Sequence, residues 1–220
     1  MADLTLTFAD QKAAVAGDRI PTTQPISQWL AAAYTDIWNA GKWTFKKVSR
    51  ENFYTTADGT STGAASATPD MPAAFGEMIA LLDDQGFELT WLTETEFESQ
   101  YTEANATTGR PSVFTVVNRQ IQLWPTPDAA YLFKVSYKRR LATRNSSGVV
   151  QAGFYQADTD FPLWDDHHYI LVLRAKLLGL KSLADPTADM LEGEFGRLLD
   201  AMTEDYTEKL PRGYQMPSWR

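Results

Sequence analysis

The chain has 220 residues, and its apolar and charged fractions, 44% and 22%, are ordinary for a globular protein. Its formal net charge of −8 argues against a protein that wraps nucleic acid, because such binding depends on neutralising phosphates. The absence of cysteine excludes disulfides, a thiol nucleophile and thiolate-ligated metals. No apolar run approaches the roughly 20 residues of a membrane helix, and no signal pattern opens the chain, so we expect an intracellular protein without membrane contact.

Two helices are predicted near the N-terminus. Thr7 and Asp10 form a capping-box pattern at the start of a short helix, Phe8 to Ala16, and a glycine follows its end. A second helix begins after Pro25 and ends at Gly41. Its apolar residues recur at the spacing of an amphipathic helix: Ile26, Trp29, Leu30, Ala33, Tyr34, Ile37 and Trp38.

Extended structure is predicted next, because the apolar period changes from 3.6 to 2. Residues 43–56 are expected to be extended, and 77–92 to form a hairpin that turns at Asp83-Asp84-Gln85-Gly86. The small, polar stretch 56–72 between them is expected to be a mobile loop. A second capping box beginning at Thr93 predicts a short helix after the hairpin.

Residues 109–141, GRPSVFTVVNRQIQLWPTPDAAYLFKVSYKRRL, are predicted to form one antiparallel sheet of three strands with one solvated face. Val113–Val117 and Gln120–Trp124 flank Asn118-Arg119, a two-residue turn in which Asn tolerates positive φ. Two prolines make the next connection a loop, because Pro cannot donate to a central ladder. The third strand alternates apolar with polar residues, the apolar ones being Tyr131, Phe133, Val135 and Tyr137.

Two longer helices are predicted in the last third of the chain. The first runs from about Leu163 to Ala184 and is apolar almost all round, which is typical of the central helix of a bundle. Asp185-Pro186 ends it. The second carries a single apolar stripe, formed by Leu191, Phe195, Leu198, Met202 and Tyr206.

These elements predict an α+β protein, in which a bundle of two N-terminal and two long C-terminal helices carries an antiparallel β-rich insert and an extended C-terminal tail. The N-terminal helices occupy residues 1–42 and the insert occupies 43–154, with a polar stretch at 142–153. The C-terminal helices occupy 155–210. Pro and Gly make 211–220 a tail rather than a helix.

No motif for a nucleophile, a phosphate-binding loop or a metalloprotease occurs in the sequence. His167 and His168 are adjacent, and adjacent residues on a helix point about 100° apart, so a helix-surface or packing role is predicted for them rather than metal binding. The prediction is a protein with no catalytic residue, no metal and no cofactor, and therefore not an enzyme.

Two groups of carboxylates could in principle bind a divalent cation or supply acid–base chemistry, but other roles are predicted for them. One group precedes the first long C-terminal helix and is expected to interact with its N-terminal dipole: Asp158, Asp160, Asp165 and Asp166. The other group is expected to form an exposed acidic helix face rather than an acid–base pair: Glu94, Glu96 and Glu98.

Seven tryptophans are a high number for this length, and aromatic rings on a sheet can stack on sugars or bases. Complete burial of Trp29 would make Trp29→Ala cost about 3–5 kcal/mol. Trp219 lies in the tail and is expected to anchor a partner. Core packing is the favoured interpretation for five others: Trp29, Trp38, Trp43, Trp91 and Trp124.

From about Ile26 to Tyr206 the order of elements resembles that of the head-to-tail adaptor proteins of tailed bacteriophages. The best-matched pieces are the strand QIQLWPTPD, the following KVSYKRRL, and the FP that precedes the first long C-terminal helix. The resemblance implies a structural virion protein that forms a ring of typically twelve copies beneath the portal. In such proteins the helices build the ring near the portal, and the sheet insert faces the tail.

The resemblance also implies partners: further copies of the chain, the portal protein, and tail terminator or tail tube and hub proteins. It places the protein in the neck of the virion, assembled in the host cytoplasm. Genomic DNA would pass through the ring without specific binding, which suits an acidic chain. The C-terminal tail is expected to bind the portal through Arg212, Tyr214, Met216, Trp219 and Arg220.

Two alternatives remain open from the sequence. A tail terminator or tail completion protein is the alternative within virion assembly. A carbohydrate-binding or carbohydrate-active module that uses the tryptophan-rich sheet is the alternative from another class, although long C-terminal helices are uncommon at the end of such modules.

Overall fold

The computed structural model describes residues 6–17, 19–54, 71–101 and 107–207. These residues form an α+β fold, as predicted. The helices are α1 Phe8–Val15, α2 Ile26–Ala40, α3 Glu94–Gln100, α4 Tyr169–Ser182 and α5 Ala188–Tyr206. The strands are β1 Lys47–Tyr54, β2 Phe75–Leu82, β3 Thr90–Trp91, β4 Val113–Val117, β5 Gln120–Trp124, β6 Leu132–Arg139, β7 Ala142–Arg144 and β8 Val150–Ala152.

The chain divides into two compact units. Unit 1 comprises Met1–Lys46 and Leu141–Arg220, and its described part contains α1, α2, α4, α5 and the β7–β8 pair. Unit 2 comprises Lys47–Arg140 and contains α3 and the remaining strands. Most of the predicted loop 56–72 and all of the predicted tail 211–220 lie outside the described residues.

In unit 1, α4 packs against α1, α2 and α5. Eight of its residues are buried. This burial agrees with a helix whose apolar residues lie almost all round it. Helix α1 has the predicted capping box, in which Thr7 and Asp10 bond to each other's backbone N–H groups. At the end of α2, the Lys46 ammonium donates to the carbonyl oxygen of Gly41 at 2.9 Å and caps the helix.

The predicted start of the first long C-terminal helix is wrong, because α4 begins at Tyr169 rather than Leu163. His167 has a φ of +60°, which an α-helix cannot contain. The preceding turn is also held by tertiary contacts, since the Leu163 N–H donates to the Tyr34 hydroxyl at 3.2 Å and Trp164 is buried. The chain therefore uses these residues to fill the core before the helix begins.

The polar stretch 142–153 contains a hairpin, in which β7 pairs antiparallel with β8. The Asn145 carboxamide oxygen accepts from the N–H groups of Ser147 and Val149 at 3.0 and 2.9 Å. Gly148, with a φ of +78°, completes the turn. This hairpin belongs to the helical unit rather than to the sheets of unit 2.

Unit 2 contains two three-stranded sheets, so the prediction of a single sheet over residues 109–141 is wrong. The β4–β5 hairpin forms as predicted, with positive φ at Asn118 and Arg119, but its third strand is β3, which pairs parallel with β4. Strand β6 lies instead between β1 and β2. Seven residues separate β5 from β6, enough for the chain to cross to the other sheet.

The two sheets of unit 2 share one hydrophobic core. Strand β6 contributes Phe133, Val135 and Tyr137, which alternate as predicted, and the β4–β5 hairpin contributes Phe114 and Ile121. Strand β6 pairs with β1 along one edge and with β2 along the other, so it is the central strand of its sheet. The sheet therefore has two outer edges, on β1 and on β2, and among the described residues no strand covers 75–80 of β2 on the side away from β6, which we call the free edge of β2.

The turn after β2 forms at the predicted position. Leu89 donates its N–H to the Leu81 carbonyl at 2.9 Å, but Thr90 and Trp91 then leave β2 to join the other sheet. The Asp83 carboxylate accepts from the Phe87 N–H at 2.8 Å and from Arg110 at 2.9 Å. Burial by itself raises the pKa of Asp83, but the Phe87 N–H and the Arg110 guanidinium more than offset it, so the pKa is lowered.

This lowered pKa predicts an acid-dependent loss of stability in unit 2. Since the folded-state pKa of Asp83 lies below its unfolded value near 3.8, its contribution is present above that value and is lost as the pH falls through the folded one. We expect the stability gap between wild type and Asp83→Asn to shrink as the pH falls below about 4. Urea unfolding of both proteins at a series of pH values measures this difference in the free energy of unfolding. An equal difference at pH 7 and pH 2 would contradict a lowered pKa for Asp83.

Candidate functional site

The two histidines do not form a metal site. His168 is fully buried, where its Nδ1 accepts from the Leu6 N–H at 2.8 Å and its Nε2 donates to the Trp164 carbonyl at 2.9 Å. His167 turns instead to Asp205, with Nε2 2.7 Å from a carboxylate oxygen. The packing role predicted for these residues is confirmed for His168, although both precede α4 rather than lie within it.

The prediction that the aspartates of 158–166 serve the N-terminus of α4 is wrong for Asp158 and Asp160. The Asp158 and Asp160 backbone carbonyls instead accept from the first N–H groups of α1, at 2.9 Å each. The Asp160 carboxylate, 2% exposed, accepts from Gln151 and from the N–H groups of Gln156 and Ala157. The two backbone carbonyls hold the loop against α1. The three donors to the Asp160 carboxylate offset the cost of burying its charge.

The carboxylates of α3 behave as predicted. Glu96 completes a capping box with Thr93, and its pKa is lowered by the hydrogen bond from the Thr93 N–H group. Across the part of the chain that the structure describes, no group of three or more His, Asp or Glu side chains could hold a metal ion. Within that same part, every helix is too short or too polar to cross a membrane.

The tryptophans divide by exposure. Trp38 and Trp43 are buried in unit 1, whereas Trp29 and Trp124 are only half-buried. The prediction of core packing is wrong for Trp91, which is 57% exposed. A stacking platform for sugars needs several exposed rings, and among the described tryptophans Trp91 is alone in being largely exposed.

A groove in unit 2 lies along the free edge of β2. We call it the β2 groove; its volume is about 540 Å³. Its walls carry two exposed apolar side chains, Ile79 and Trp91, and two carboxylates. The groove is lined by residues 75–80, Glu88, Trp91, Phe114 and Val116.

Unit 1 also carries exposed apolar surface. Only two of the nineteen residues of α5, Ala188 and Met202, are buried, and Met190 is 76% exposed. A groove of about 450 Å³ lies beside its first turns, and its lining includes Arg19, Lys176 and Leu180. Helix α5 therefore has more apolar surface than unit 1 alone covers.

The residues predicted to form the portal-binding site, Arg212, Tyr214, Met216, Trp219 and Arg220, lie outside the described residues. The sequence interpretation missed the β2 groove. In the sequence, Phe87, Leu89 and Trp91 alternate with polar residues, and this pattern predicts that all three face the core. In the structure Leu89 is buried, whereas Phe87 and Trp91 are exposed.

An α+β chain with exposed apolar grooves offers surface that can bind other proteins. A family model described as SU10 adaptor protein matches residues 4–216. The chain therefore belongs to the SU10 adaptor protein family, and it is a structural adaptor protein of a bacteriophage virion. No curated protein is similar enough to the chain to match it. Such adaptor families are typically non-enzymatic, in agreement with the prediction from the sequence.

Proposed function

We propose that this adaptor forms a homo-oligomeric ring, of twelve copies, at the junction between head and tail. The ring docks beneath the portal protein and binds a tail terminator or a tail tube or hub protein on its other side. The observation that carries the proposal is the family match over almost the whole chain, residues 4–216. In this proposal the protein is assembled in the host cytoplasm and resides in the neck of the virion.

The exposed surface of α5 supports a ring contact in unit 1. A ring uses a heterologous interface, so each subunit needs complementary surfaces on two sides. Gly193 and Gly196 lie in the middle of α5, and a Cβ added to either meets no atom within 4 Å. Glycine costs about 1 kcal/mol of helix stability relative to alanine. Close packing of a second copy against α5 would explain why glycine occupies these two positions.

The charge of the chain supports a DNA channel through the ring. A net charge of −8 disfavours attachment to phosphates, so DNA can move through without specific binding. In the proposed arrangement the helices of unit 1 form the bundle of the ring, and the β-rich insert faces the tail.

The C-terminal tail is proposed as the portal-binding arm. Pro211, Gly213 and Pro217 prevent a helix there, while Tyr214, Met216 and Trp219 offer large apolar anchors. Arginines at 212 and 220 can pair with acidic groups of the partner.

Deletion of residues 211–220 tests the proposal. We expect the truncated protein to keep its circular dichroism spectrum but to lose binding to purified portal protein, because the anchors are gone. Negative-stain images of the intact protein with the portal should show a ring of twelve subunits.

Trp91→Ala is the control, since it removes an exposed tryptophan elsewhere and should leave portal binding unchanged. Unchanged affinity for the portal protein after the deletion would contradict the proposal that residues 211–220 bind the portal. A protein that binds tail components but never the portal contradicts docking beneath the portal, and identifies a tail terminator or tail completion protein instead.

A further inference from the structure

We propose that the β2 groove binds an extended segment of a partner protein, which adds a strand to the free edge of β2. The segment carries apolar side chains at alternate positions and at least one Arg or Lys. This inference goes beyond the ring and the portal arm, and it does not depend on either.

The first support is the free edge itself. Strand β2 pairs antiparallel with β6 from Phe75 to Leu82, with irregularities in the register at Gly76 and Ile79. On its other side, Leu81 and Leu82 meet Leu89 and Glu88, but the described residues provide no strand partner along 75–80. An exposed edge offers a row of N–H and C=O groups, and an added strand satisfies them.

The second support is the fit of the groove to a strand. Six consecutive residues of β2, 75–80, line one wall, and at about 3.3 Å per residue they extend roughly 20 Å. Trp91, Phe114 and Val116, which belong to the other sheet, also line the groove. The volume of about 540 Å³ leaves room for the side chains on one face of a short strand.

The third support is the chemistry of the walls, which selects the occupant. Ile79 is 40% exposed and Trp91 57% exposed, so both gain from contact with apolar side chains of the added strand. Glu88 lines the groove together with Trp91, and within the described part of the chain it makes no ion pair. A carboxylate beside an exposed indole favours Arg or Lys, through charge attraction and cation–π contact.

The same chemistry disfavours a second copy pairing through β2. The strand, Phe75–Leu82, contains no basic residue, and Glu77 already pairs with Lys138 at 2.8 Å. A β2 strand from a second copy would bring no basic side chain to the groove and so could not pair with Glu88. The occupant is therefore a different, basic segment.

The test uses the full chain and a fluorescently labelled peptide of seven residues in which valines alternate with arginine and threonine. We expect saturable binding by fluorescence anisotropy, with slowed amide exchange confined to residues 75–80 and 88–91. A matched peptide with N-methyl groups on the amides of one edge should bind at least tenfold more weakly, because it cannot complete the ladder.

Trp91→Ala and Ile79→Lys should each weaken binding at least tenfold, and Glu88→Lys should do so most at low salt. Circular dichroism confirms that each variant is folded, and Met190→Ala, a change in unit 1, should leave binding unchanged. The proposal is overturned by absent binding, by equal binding of the N-methylated peptide, or by protection outside the groove. Concentration-dependent dimers lost in Ile79→Lys would show pairing of two copies and overturn it as well.

Discussion

Trp164→Ala is expected to lower the free energy of unfolding by about 3–5 kcal/mol, the range for large aromatic truncations in a core. The ring is 1% exposed, stacks on Tyr34 at 4.9 Å between centroids and lies 5.2 Å from Phe45. Tyr34 cannot shift freely to fill the cavity, because its hydroxyl donates to the Ala142 carbonyl and accepts from the Leu163 N–H. Urea unfolding followed by circular dichroism measures the loss.

The same substitution at other tryptophans provides matched controls. Trp91→Ala removes a ring that is 57% exposed and should change stability by no more than about 0.5 kcal/mol. Trp29 is only half-buried, so the condition for its predicted loss of about 3–5 kcal/mol is not met, and Trp29→Ala should fall between the two. Equal losses at Trp164 and Trp91 would contradict this view of the core.

Gly179→Ala is expected to destabilise the protein by about 1–3 kcal/mol, the usual cost of overpacking. In α4 this glycine faces α2, and an added Cβ would lie 2.6 Å from the Trp29 ring and 3.2 Å from Ile20 Cδ1. The gain in helix propensity, about 1 kcal/mol, does not remove that clash. Thermal or urea unfolding of the variant measures the net effect.

Gly196→Ala is the control, because this α5 glycine has no atom within 4 Å of an added Cβ. It should stabilise the isolated subunit by about 0.5–1 kcal/mol. A double mutant isolates the clash: with Trp29→Ala already present, Gly179→Ala should cost much less. Additive losses in the two changes would show that contact with Trp29 is not the cause.

Capping boxes and turns could be read from the sequence because their partners lie within a few residues. Thr7 with Asp10 and Thr93 with Glu96 each close a ring of hydrogen bonds across three residues. Positive φ at Asn118-Arg119 likewise joins β4 to β5 without help from the rest of the chain. Such features depend on local geometry, so residue type and spacing predict them.

The partner of β6 could not be read in the same way. Its alternation of Phe133, Val135 and Tyr137 predicts a strand with one buried face, but that pattern is the same whichever strand lies beside it. Pairing with β1 joins residues 78 to 91 positions apart, and pairing with β2 joins residues 52 to 64 positions apart. Strand choice is decided by how both sheets fill their shared core, which involves the whole of unit 2.

Residue type and spacing were enough to predict the α+β class, most of the helix and strand positions, and a resemblance that the family match supports. They did not predict that α4 begins at Tyr169, that Trp91 is exposed, or that 75–80 of β2 lack a second strand partner among the described residues. The reason is physical: periodicity and capping act over one or two turns of chain. Exposure and edge position depend instead on which distant segments pack against a residue, and no local pattern records them.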